Sequence, residues 1–533
     1  MSASDSTPAE RPNVVLVMVD DMGYSDIAPY GGEIETPTLQ RLADDGLRFT
    51  QFYNYARCCP TRASLVTGLH PHQTGIGHMT DPPDDPGAMD RGVPGYVGHL
   101  NDRCATVAER LSAAGYETLM AGKWHLGSRD AADRPTSRGF DRYYGHLAGA
   151  ANYFDPQGPR GLSADGGPPG SVAPESTTDR RYYTTDAFTD HAIDFVRERD
   201  DDPFFLYLSY NAPHWPLQAH EDVVANYRGE YADGWDAVRT ARYERQVEMG
   251  LFDPDRVPLT PADSPDWDSL SAETRDEMDR RMAIYAAQVD LVDRNLARLV
   301  AALEARGEFE NTLFLFLSDN GACAEGGTLG WGDREDLNDP AAGLWMSYGR
   351  AWANASNTPF REYKHWVHEG GAATPLIVHW PAGLDETDAW RRQPAYLPDV
   401  VPTLLDVAGA DYPETRDGIG LPALEGESLL PAFDGEALDR DRPMCMEHEG
   451  NRFVRDGRWK LVSMGDTADY GGDQTWELYD MATDRSETTD LAGEHPDRVD
   501  DLRERWWSWA ERVGVVPNGQ GTARRDELAD AGE

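Results

Sequence analysis

Continuous apolar runs recur along the chain as far as Trp380, and helical patterns lie between them. Short runs rich in β-branched and aromatic residues are typical of buried strands. Strands that alternate with helices predict a doubly wound α/β sheet. The predicted strands are Asn13–Val19, Glu117–Gly122, Phe204–Tyr210, Thr312–Ser318 and Pro375–Trp380.

Two helices and three irregular segments stand out between these strands. One helix is predicted over Ala105–Ala114, and a longer one, with an apolar face from Ile284 to Leu303, is predicted to end at Gly307. Residues 155–174, 231–268 and 326–355 are predicted to be irregular. The third segment carries three tryptophans in a glycine-rich context, so we interpret it as the rim of a binding site.

The pattern changes after about Gly435, where short strand-like pieces precede a helix predicted over Pro496–Val513. A chain of 533 residues is too long for one ordinary core. We therefore predict a large α/β domain over residues 1–435 and a smaller domain over residues 436–533. The smaller domain is expected to be a small sheet plus one helix.

Charge excludes two classes of partner. The chain has 49 basic and 94 acidic residues, a formal net charge of −45. Such a surface repels nucleic acids and anionic membranes, so we expect neither as a partner. Only three lysines occur, Lys123, Lys364 and Lys460, and the acidic residues are dispersed. This composition is typical of proteins from a saline cytoplasm, so we expect a halophilic source.

The N-terminal sequence and the cysteines predict a soluble cytoplasmic protein. The first 21 residues lack a basic region, a twin arginine and a cleavage site, and the apolar run Val14–Val19 is too short to span a membrane. The five cysteines are scattered and odd in number, which argues against a disulfide framework. We expect reduced thiols.

The acidic composition predicts that the protein depends on salt. If the net charge of −45 is an adaptation to a saline cytoplasm, dilute buffer will remove the screening that limits self-repulsion. We expect the melting temperature and the activity to fall steeply as ionic strength is lowered. Thermal unfolding followed across a salt series checks this, and full stability in dilute buffer would contradict it.

Polar side chains follow four of the predicted strands, at the ends where open α/β sheets place their sites. A single aspartate after a strand is usually a cap or turn former, and a lone histidine is usually structural. Four such strand ends in one chain favour a site. The residues are Asp20, Asp21, Lys123, His125, His214, Asp319 and Asn320.

Three of these side chains are carboxylates and a fourth is an amide, so they are hard oxygen donors. Such donors suit Ca²⁺ or Mg²⁺ better than zinc, which prefers histidine or thiolate. We therefore expect one hard divalent ion. Lys123, His125, His214 and Lys364 add cations and proton carriers suited to a tetrahedral oxyanion ester. Lys460 lies in GRWKLVS, where we expect a structural role and a nearly silent Lys460→Arg substitution.

The stretch CCPTRASLVTG begins with two adjacent cysteines and a proline. Proline suits the first turn of a helix, whose positive end stabilises a thiolate or an anion, so a reactive thiol is one interpretation. However, Cys58, Pro60, Arg62, Thr67 and Gly68 form a pattern that resembles the type I sulfatase signature. In that family the cysteine is oxidised to formylglycine (3-oxoalanine). The spacing selects Cys58 and leaves Cys59 as a bystander.

The resemblance extends over most of the first 380 residues, in the order and spacing of that family, and residues 227–293 are similar to bacterial arylsulfatases in particular. It implies an alkaline-phosphatase-like fold, with a large mixed, mostly parallel sheet between helices and a smaller C-terminal α+β domain. The segments that carry it are VDDMGYSD, GKWHLG, APHWPLQA, LSDNGA and NTPFREYKHWVHEGG.

The resemblance implies a role for each site residue. Asp20, Asp21, Asp319 and Asn320 match the ligands of one Ca²⁺, and the modified Cys58 completes the shell. The catalytic matches are Arg62, which holds the formylglycine; Lys123 and Lys364, which grip the sulfate oxygens; His125, the base for the hydrated aldehyde; and His214, which binds the ester and protonates the leaving oxygen.

The implied reaction is hydrolysis of a small-molecule sulfate ester after a formylglycine-generating enzyme has modified Cys58. One hydroxyl of the aldehyde hydrate attacks sulfur, and the second expels sulfate. Three alternatives stay open. They are a phosphonate monoester or phosphodiester hydrolase of the same superfamily, a two-zinc phosphatase, for which the sequence offers no further His/Asp cluster, and an unconverted homologue that only binds anions.

Overall fold

A computed structural model describes residues 11–83, 85, 87–176, 180–465 and 475–516. Within these residues ten strands form one mixed sheet, in the order β10-β2-β8-β7-β1-β6-β3-β4-β5, with β9 paired to β2. The strands are β1 Asn13–Val19, β2 Leu47–Tyr53, β3 Glu117–Lys123, β4 Arg142–His146, β5 Leu162–Ala164, β6 Phe204–Ser209, β7 Thr312–Ser318, β8 Ala373–His379, β9 Ala389–Arg391 and β10 Ala395–Tyr396.

The central strands β7, β1, β6, β3 and β4 run parallel to one another, whereas β2 and β8 pair antiparallel, as do β7 and β8. Helices cover the sheet. They are α1 Pro37–Asp44, α2 Cys58–Thr67, α3 Pro71–Thr74, α4 Val107–Ala113, α5 Thr184–Glu198, α6 Glu221–Tyr227, α7 Trp235–Glu248, α8 Ala272–Arg306, α9 Gly349–Ser356, α10 Glu369–Ala372, α11 Val400–Ala408, α12 Leu430–Phe433 and α13 Pro496–Val513. The predicted mixed, mostly parallel sheet with helices is confirmed.

Strand β1 shows why its sequence is an unbroken apolar run. Val15 and Val17 point into the core on one face of the sheet, and Val14 and Leu16 point into the core on the other. All four are at most 1% exposed, and burying each side chain stabilises the fold by about 1.5–3 kcal/mol. A parallel sheet with both faces covered needs apolar residues at every position.

The predicted strands and long helices are confirmed within a few residues. The prediction of an irregular segment over residues 326–355 is wrong at its C-terminal end, where α9 begins at Gly349, and the prediction for residues 231–268 is wrong in part. Helix α7 lies inside this segment. Its buried face is formed by Trp235, Arg239, Arg242 and Gln246, which have the spacing of a helix but are mostly polar. An apolar periodicity was therefore absent, and the segment had the pattern of a solvated loop.

A four-stranded antiparallel sheet follows near the C-terminus, in the order β13 Met444–His448, β14 Asn451–Asp456, β15 Trp459–Ser463 and β16 Trp476–Asp480. A separate hairpin, β11 Thr415–Arg416 with β12 Ile419–Gly420, precedes it. Val454 and Leu461 pack against Trp506 of α13, whereas Phe453 and Val462 join the core of the large sheet. The small sheet and helix are confirmed, and the domain boundary at residue 435 stays a prediction.

Candidate active site

Four adjacent strands, β7, β1, β6 and β3, end at the same edge of the large sheet. Val19 pairs with Ser318, and Ser209 pairs with both Met18 and Gly122. The polar residues that follow these ends therefore meet above the sheet, as their strand-end positions predicted.

In the described residues, none of the helices has both the length and the apolarity needed to cross a membrane.

The acidic residues form one buried cluster. The Asp21 backbone N–H donates to Asp319 Oδ1 at 3.2 Å, and Asn320 Nδ2 donates to Asp21 Oδ1 at 2.7 Å. Asp20 lies beside them at the end of β1, and all four side chains are at most 1% exposed. The structure thus brings together the four residues predicted as metal ligands.

Two lysines neutralise part of this cluster. Lys123 Nζ donates to Asp20 Oδ2 at 2.5 Å, and Lys364 Nζ donates to Asp21 Oδ2 at 2.8 Å. Burial opposes ionisation of Asp20, but the charges of Lys123 and His214 outweigh it and hold the pKa of this carboxyl well below its usual range. The cluster is therefore strongly charged although its side chains are buried.

The positive charge around Asp319 is insufficient to keep its carboxyl as acidic as it is in water. Burial, reinforced by the charge of Asp20, raises the pKa of Asp319 well above its usual range in spite of Arg62. Two oxygens of the cluster, Asp20 Oδ1 and Asn320 Oδ1, are buried and have no hydrogen-bond partner among the described residues. Oxygens with free lone pairs beside an undercompensated carboxylate are a fitting environment for a hard cation.

Cys58 is the first residue of α2 and is 2% exposed. Hydrogen bonds from Cys59 and His125 and the charge of Lys123 lower the pKa of the Cys58 thiol well below its usual value, although burial acts in the other direction. The structure thus places Cys58 among the predicted catalytic residues. Cys59 has no predicted role, but it contacts the Cys58 thiol, and its own sulfur lies 3.7 Å from the His78 carbonyl oxygen.

His125 faces Cys58 from the turn after β3. Its backbone has a φ of +55°, which non-glycine residues seldom adopt. A Cβ atom on Gly149 would lie 2.7 Å from the His125 ring, so the glycine leaves room for it. Burial lowers the pKa of His125 to about 4, and Lys123 contributes to the decrease. The imidazole is therefore neutral near pH 7 and can accept a proton.

His214 lies on the other side of the cluster, in the loop after β6. Its Nδ1 is 2.7 Å from the Trp215 carbonyl oxygen, which assigns the Nδ1 hydrogen to this bond. Its Nε2 is 3.5 Å from Asp21 Oδ2. Nε2 is consequently the atom that can exchange a proton with a group bound in the site, although burial lowers the pKa of His214.

Arg62, one turn into α2, is completely buried and joins the helix to three strand ends. Its Nη2 donates to Asp319 Oδ2 at 2.8 Å, and its Nη1 donates to Ser209 Oγ at 2.5 Å and to the Lys123 carbonyl oxygen at 3.2 Å. These bonds hold the N-terminal turn of α2, and hence Cys58, against the acidic cluster.

Sequence reasoning missed Glu325, Arg57 and Ser209. Glu325 Oε1 accepts a hydrogen bond from Arg57 Nη1 at 2.9 Å. Although burial opposes it, the charges of Lys364 and Arg57 hold the pKa of Glu325 well below its usual range. Glu325 follows Asn320 by five residues and Arg57 directly precedes Cys58, so proximity to the motifs was the available signal.

A second polar group lies near this site, although the sequence had offered no further metal cluster. Glu449 is surrounded by three imidazoles, those of His78, His365 and His448. The His78 Nδ1 accepts from the Met79 backbone N–H at 2.7 Å, and Asn451 Nδ2 lies 3.1 Å from His365 Nε2. Because these two nitrogens face donors, the opposite nitrogens carry hydrogens toward Glu449, and the group fits a hydrogen-bond network better than a metal site.

Comparison with known proteins identifies the family. The sequence profile of the sulfatase family matches residues 12–410. The chain belongs to the sulfatase family. A second profile, that of the C-terminal region of N-sulphoglucosamine sulphohydrolase, matches residues 361–505. The alkaline-phosphatase-superfamily sulfatase predicted from the motifs is thus confirmed, and so is the class of sulfuric ester hydrolases.

Individual relatives match over three quarters of the chain or more. An uncharacterized sulfatase of Schizosaccharomyces pombe is 34% identical over 97% of this chain and 96% of its own length. The arylsulfatase of Klebsiella aerogenes is 34% identical over 75% of this chain and 88% of its own length. The solved structure of Ps i-CgsB in complex with k-i-k-neocarrahexaose is 25% identical, has a TM-score of 0.68 and covers 98% of both chains.

Proposed function

We propose that this sulfatase hydrolyses sulfate esters of the arylsulfatase type through a formylglycine made from Cys58 and a single Ca²⁺, releasing sulfate and a phenol or alcohol. The observation that carries the proposal is the position of Cys58. It opens α2 with its thiol among Lys123 and His125, and Arg62 ties that helix to the acidic cluster. As its hydrate, a formylglycine at position 58 supplies a nucleophilic hydroxyl and a second hydroxyl for release of sulfate.

The cation would be held by Asp20, Asp21, Asp319 and Asn320 together with residue 58. The free Asp20 Oδ1 and Asn320 Oδ1 and the raised pKa of Asp319, which burial and Asp20 cause, support this assignment. Oxygen donors of this kind favour Ca²⁺ or Mg²⁺ over zinc. When bound, the ion supplies positive charge that polarises the ester oxygens and the nucleophile.

The other site residues would bind the sulfate group and move protons. Lys123 and Lys364 present compact ammonium groups on two sides of the acidic cluster, where they can hold sulfate oxygens. Neutral His125 accepts a proton from the hydroxyl at residue 58. His214 would bind a proton at Nε2 as the ester enters and then pass that proton to the leaving oxygen, since its Nδ1 hydrogen is bonded to the Trp215 carbonyl.

Conversion of Cys58 requires a partner enzyme, and the fold restricts when that enzyme can act. Cys58 is only 2% exposed in the folded protein. We therefore propose that a formylglycine-generating enzyme modifies the chain before it folds.

We also propose a saline cytoplasm as the location of the protein. The net charge of −45 and the five free, buried cysteines support this proposal.

The proposed function is tested by mass spectrometry of the Cys58 peptide together with rates on two esters. We expect the peptide to carry the lighter aldehyde instead of the thiol, and the converted protein to release sulfate from an aryl sulfate faster than it cleaves an aryl phosphonate monoester. An unmodified thiol without activity would favour the anion-binding alternative. Faster phosphonate cleavage would favour the phosphonate hydrolase alternative. The solved phosphonate monoester hydrolase of Agrobacterium radiobacter has a similar fold, with 19% identity and a TM-score of 0.57.

A further inference from the structure

Three indoles form a cluster that we name the tryptophan wall, consisting of Trp215, Trp331 and Trp345. The ring centroids of Trp215 and Trp345 are 5.1 Å apart, those of Trp331 and Trp345 are 5.3 Å apart, and those of Trp215 and Trp331 are 5.9 Å apart. The last two pairs are nearly perpendicular, the geometry that aromatic rings prefer. Residues from two distant segments thus build one aromatic surface.

The tryptophan wall borders the active site on the side of His214. The rings of His214 and Trp215 are 4.4 Å apart, and Trp215 Nε1 donates to Glu325 Oε2 at 2.8 Å. Glu325 in turn pairs with Arg57, which directly precedes Cys58. Because His214 Nε2 is proposed to protonate the leaving oxygen, the alcohol part of the ester departs next to this wall.

The wall is both exposed and firmly held. Trp345 is 60% exposed, whereas most large apolar side chains of this protein are buried. The buried Arg281 of α8 donates to the carbonyl oxygens of Trp331 at 2.5 Å and Ser347 at 2.6 Å, and the Leu217 backbone N–H donates to the Met346 carbonyl oxygen at 3.0 Å. A rigid, exposed indole beside a reactive centre is typical of a binding surface, because little ordering entropy is lost when a ring packs on it.

The loop that carries Trp331 and Trp345 is acidic, and its negative charge affects which ring-containing ligands can bind. The exposed acidic residues are Asp333, Glu335, Asp336 and Asp339. The one basic residue among them, Arg334, is paired with Asp276 at 2.5 Å. A leaving group that carries further sulfates would be repelled here, whereas an uncharged ring would not.

We propose that the tryptophan wall is the leaving-group subsite of this enzyme and that it takes an uncharged aromatic ring. The proposal rests on the proposed function, since it assigns the phenol part of the ester whose sulfate lies at Cys58. The aromatic ring would lie against the exposed face of Trp345. Stacking of this kind favours planar aromatic leaving groups over sugars, whose faces are only partly apolar.

The test measures binding in a Cys58→Ala background, which needs neither conversion nor turnover. The ligands for calorimetry are 4-methylumbelliferyl sulfate, free 4-methylumbelliferone, glucosamine 6-sulfate and inorganic sulfate. We expect Trp345→Ala to weaken binding of both aromatic ligands by about tenfold and to leave the affinity for inorganic sulfate unchanged. Ile419→Ala is the matched control, because Ile419 is 39% exposed on β12 and is the other large apolar side chain exposed among the described residues.

Two outcomes would overturn the proposal. One is equal affinity of the Cys58→Ala and Cys58→Ala/Trp345→Ala proteins for the aromatic ligands. The other is an equal or larger loss of glucosamine 6-sulfate binding, which would assign the wall to carbohydrates. Failure of the converted wild-type protein to release sulfate would count against the proposed function alone, since binding of free 4-methylumbelliferone involves no sulfate chemistry.

Discussion

Cys58→Ala is expected to abolish sulfate ester hydrolysis while the protein remains folded. Alanine removes the thiol proposed to become formylglycine at the start of α2, and loss of a nucleophile commonly reduces kcat by a factor on the order of 10⁴–10⁶. The side chain is buried but small, so the fold should tolerate its removal. Sulfate release from an aryl sulfate and a thermal unfolding curve measure the two effects.

Cys59→Ala is the matched control, because it removes the neighbouring thiol from the same helix turn. Cys59 is fully buried and faces the His78 carbonyl oxygen. We expect a stability loss of about 1 kcal/mol and a normal rate per converted molecule, measured after quantifying formylglycine in the Cys58 peptide. Normal hydrolysis by Cys58→Ala, or equal inactivation of both variants, would contradict the assignment of the nucleophile.

Lys123→Arg and Lys364→Arg are each expected to lower kcat/KM by a factor on the order of 10²–10³. Both ammonium groups are buried and lie 2.5 Å and 2.8 Å from their aspartate partners. A planar guanidinium is larger and cannot occupy the same place, although it keeps the charge. Steady-state kinetics on protein with confirmed formylglycine measure the loss, and rates like those of the wild type would show that the lysines do not contact the reacting group.

Lys460→Arg is the control, but the structure changes what is expected of it. Lys460 lies on β15 as predicted, yet it is fully buried, and its Nζ is 2.8 Å from Glu369 Oε1 and 2.7 Å from Glu487 Oε1. The larger arginine should destabilise this ion-pair network by about 1–3 kcal/mol, so the substitution is not silent for stability. Activity per folded molecule should persist, which separates this role from that of Lys123.

Much of the fold could be predicted from the sequence because its central strands are buried on both faces. Continuous apolar runs such as Thr312–Ser318 have no other stable location, and the observed strand β7 has the same bounds. The same reasoning failed for α7, whose buried Arg239, Arg242 and Gln246 hide the helical period from an apolar pattern. Polar side chains can be buried when partners satisfy them, and those partners are distant in sequence.

The sequence by itself determined which residues could form the site. Asp20 and Asp319 had to lie near strand ends because turns follow buried strands, and the resemblance to the sulfatase signature selected one cysteine of two. These are local properties of the chain, set by burial, by turn chemistry and by the distances between neighbouring residues.

Only the tertiary structure decided which of these residues meet. The strand order β7-β1-β6-β3 brings Asp319 beside Asp21 and Lys123 beside Asp20. The first pair is separated by 298 positions along the chain and the second by 103. The same packing places Trp345 against Trp215 and sets Lys460 in a buried network. Local propensity specifies burial and direction, whereas contacts across the sheet depend on how the strands are ordered and how the loops pack above them.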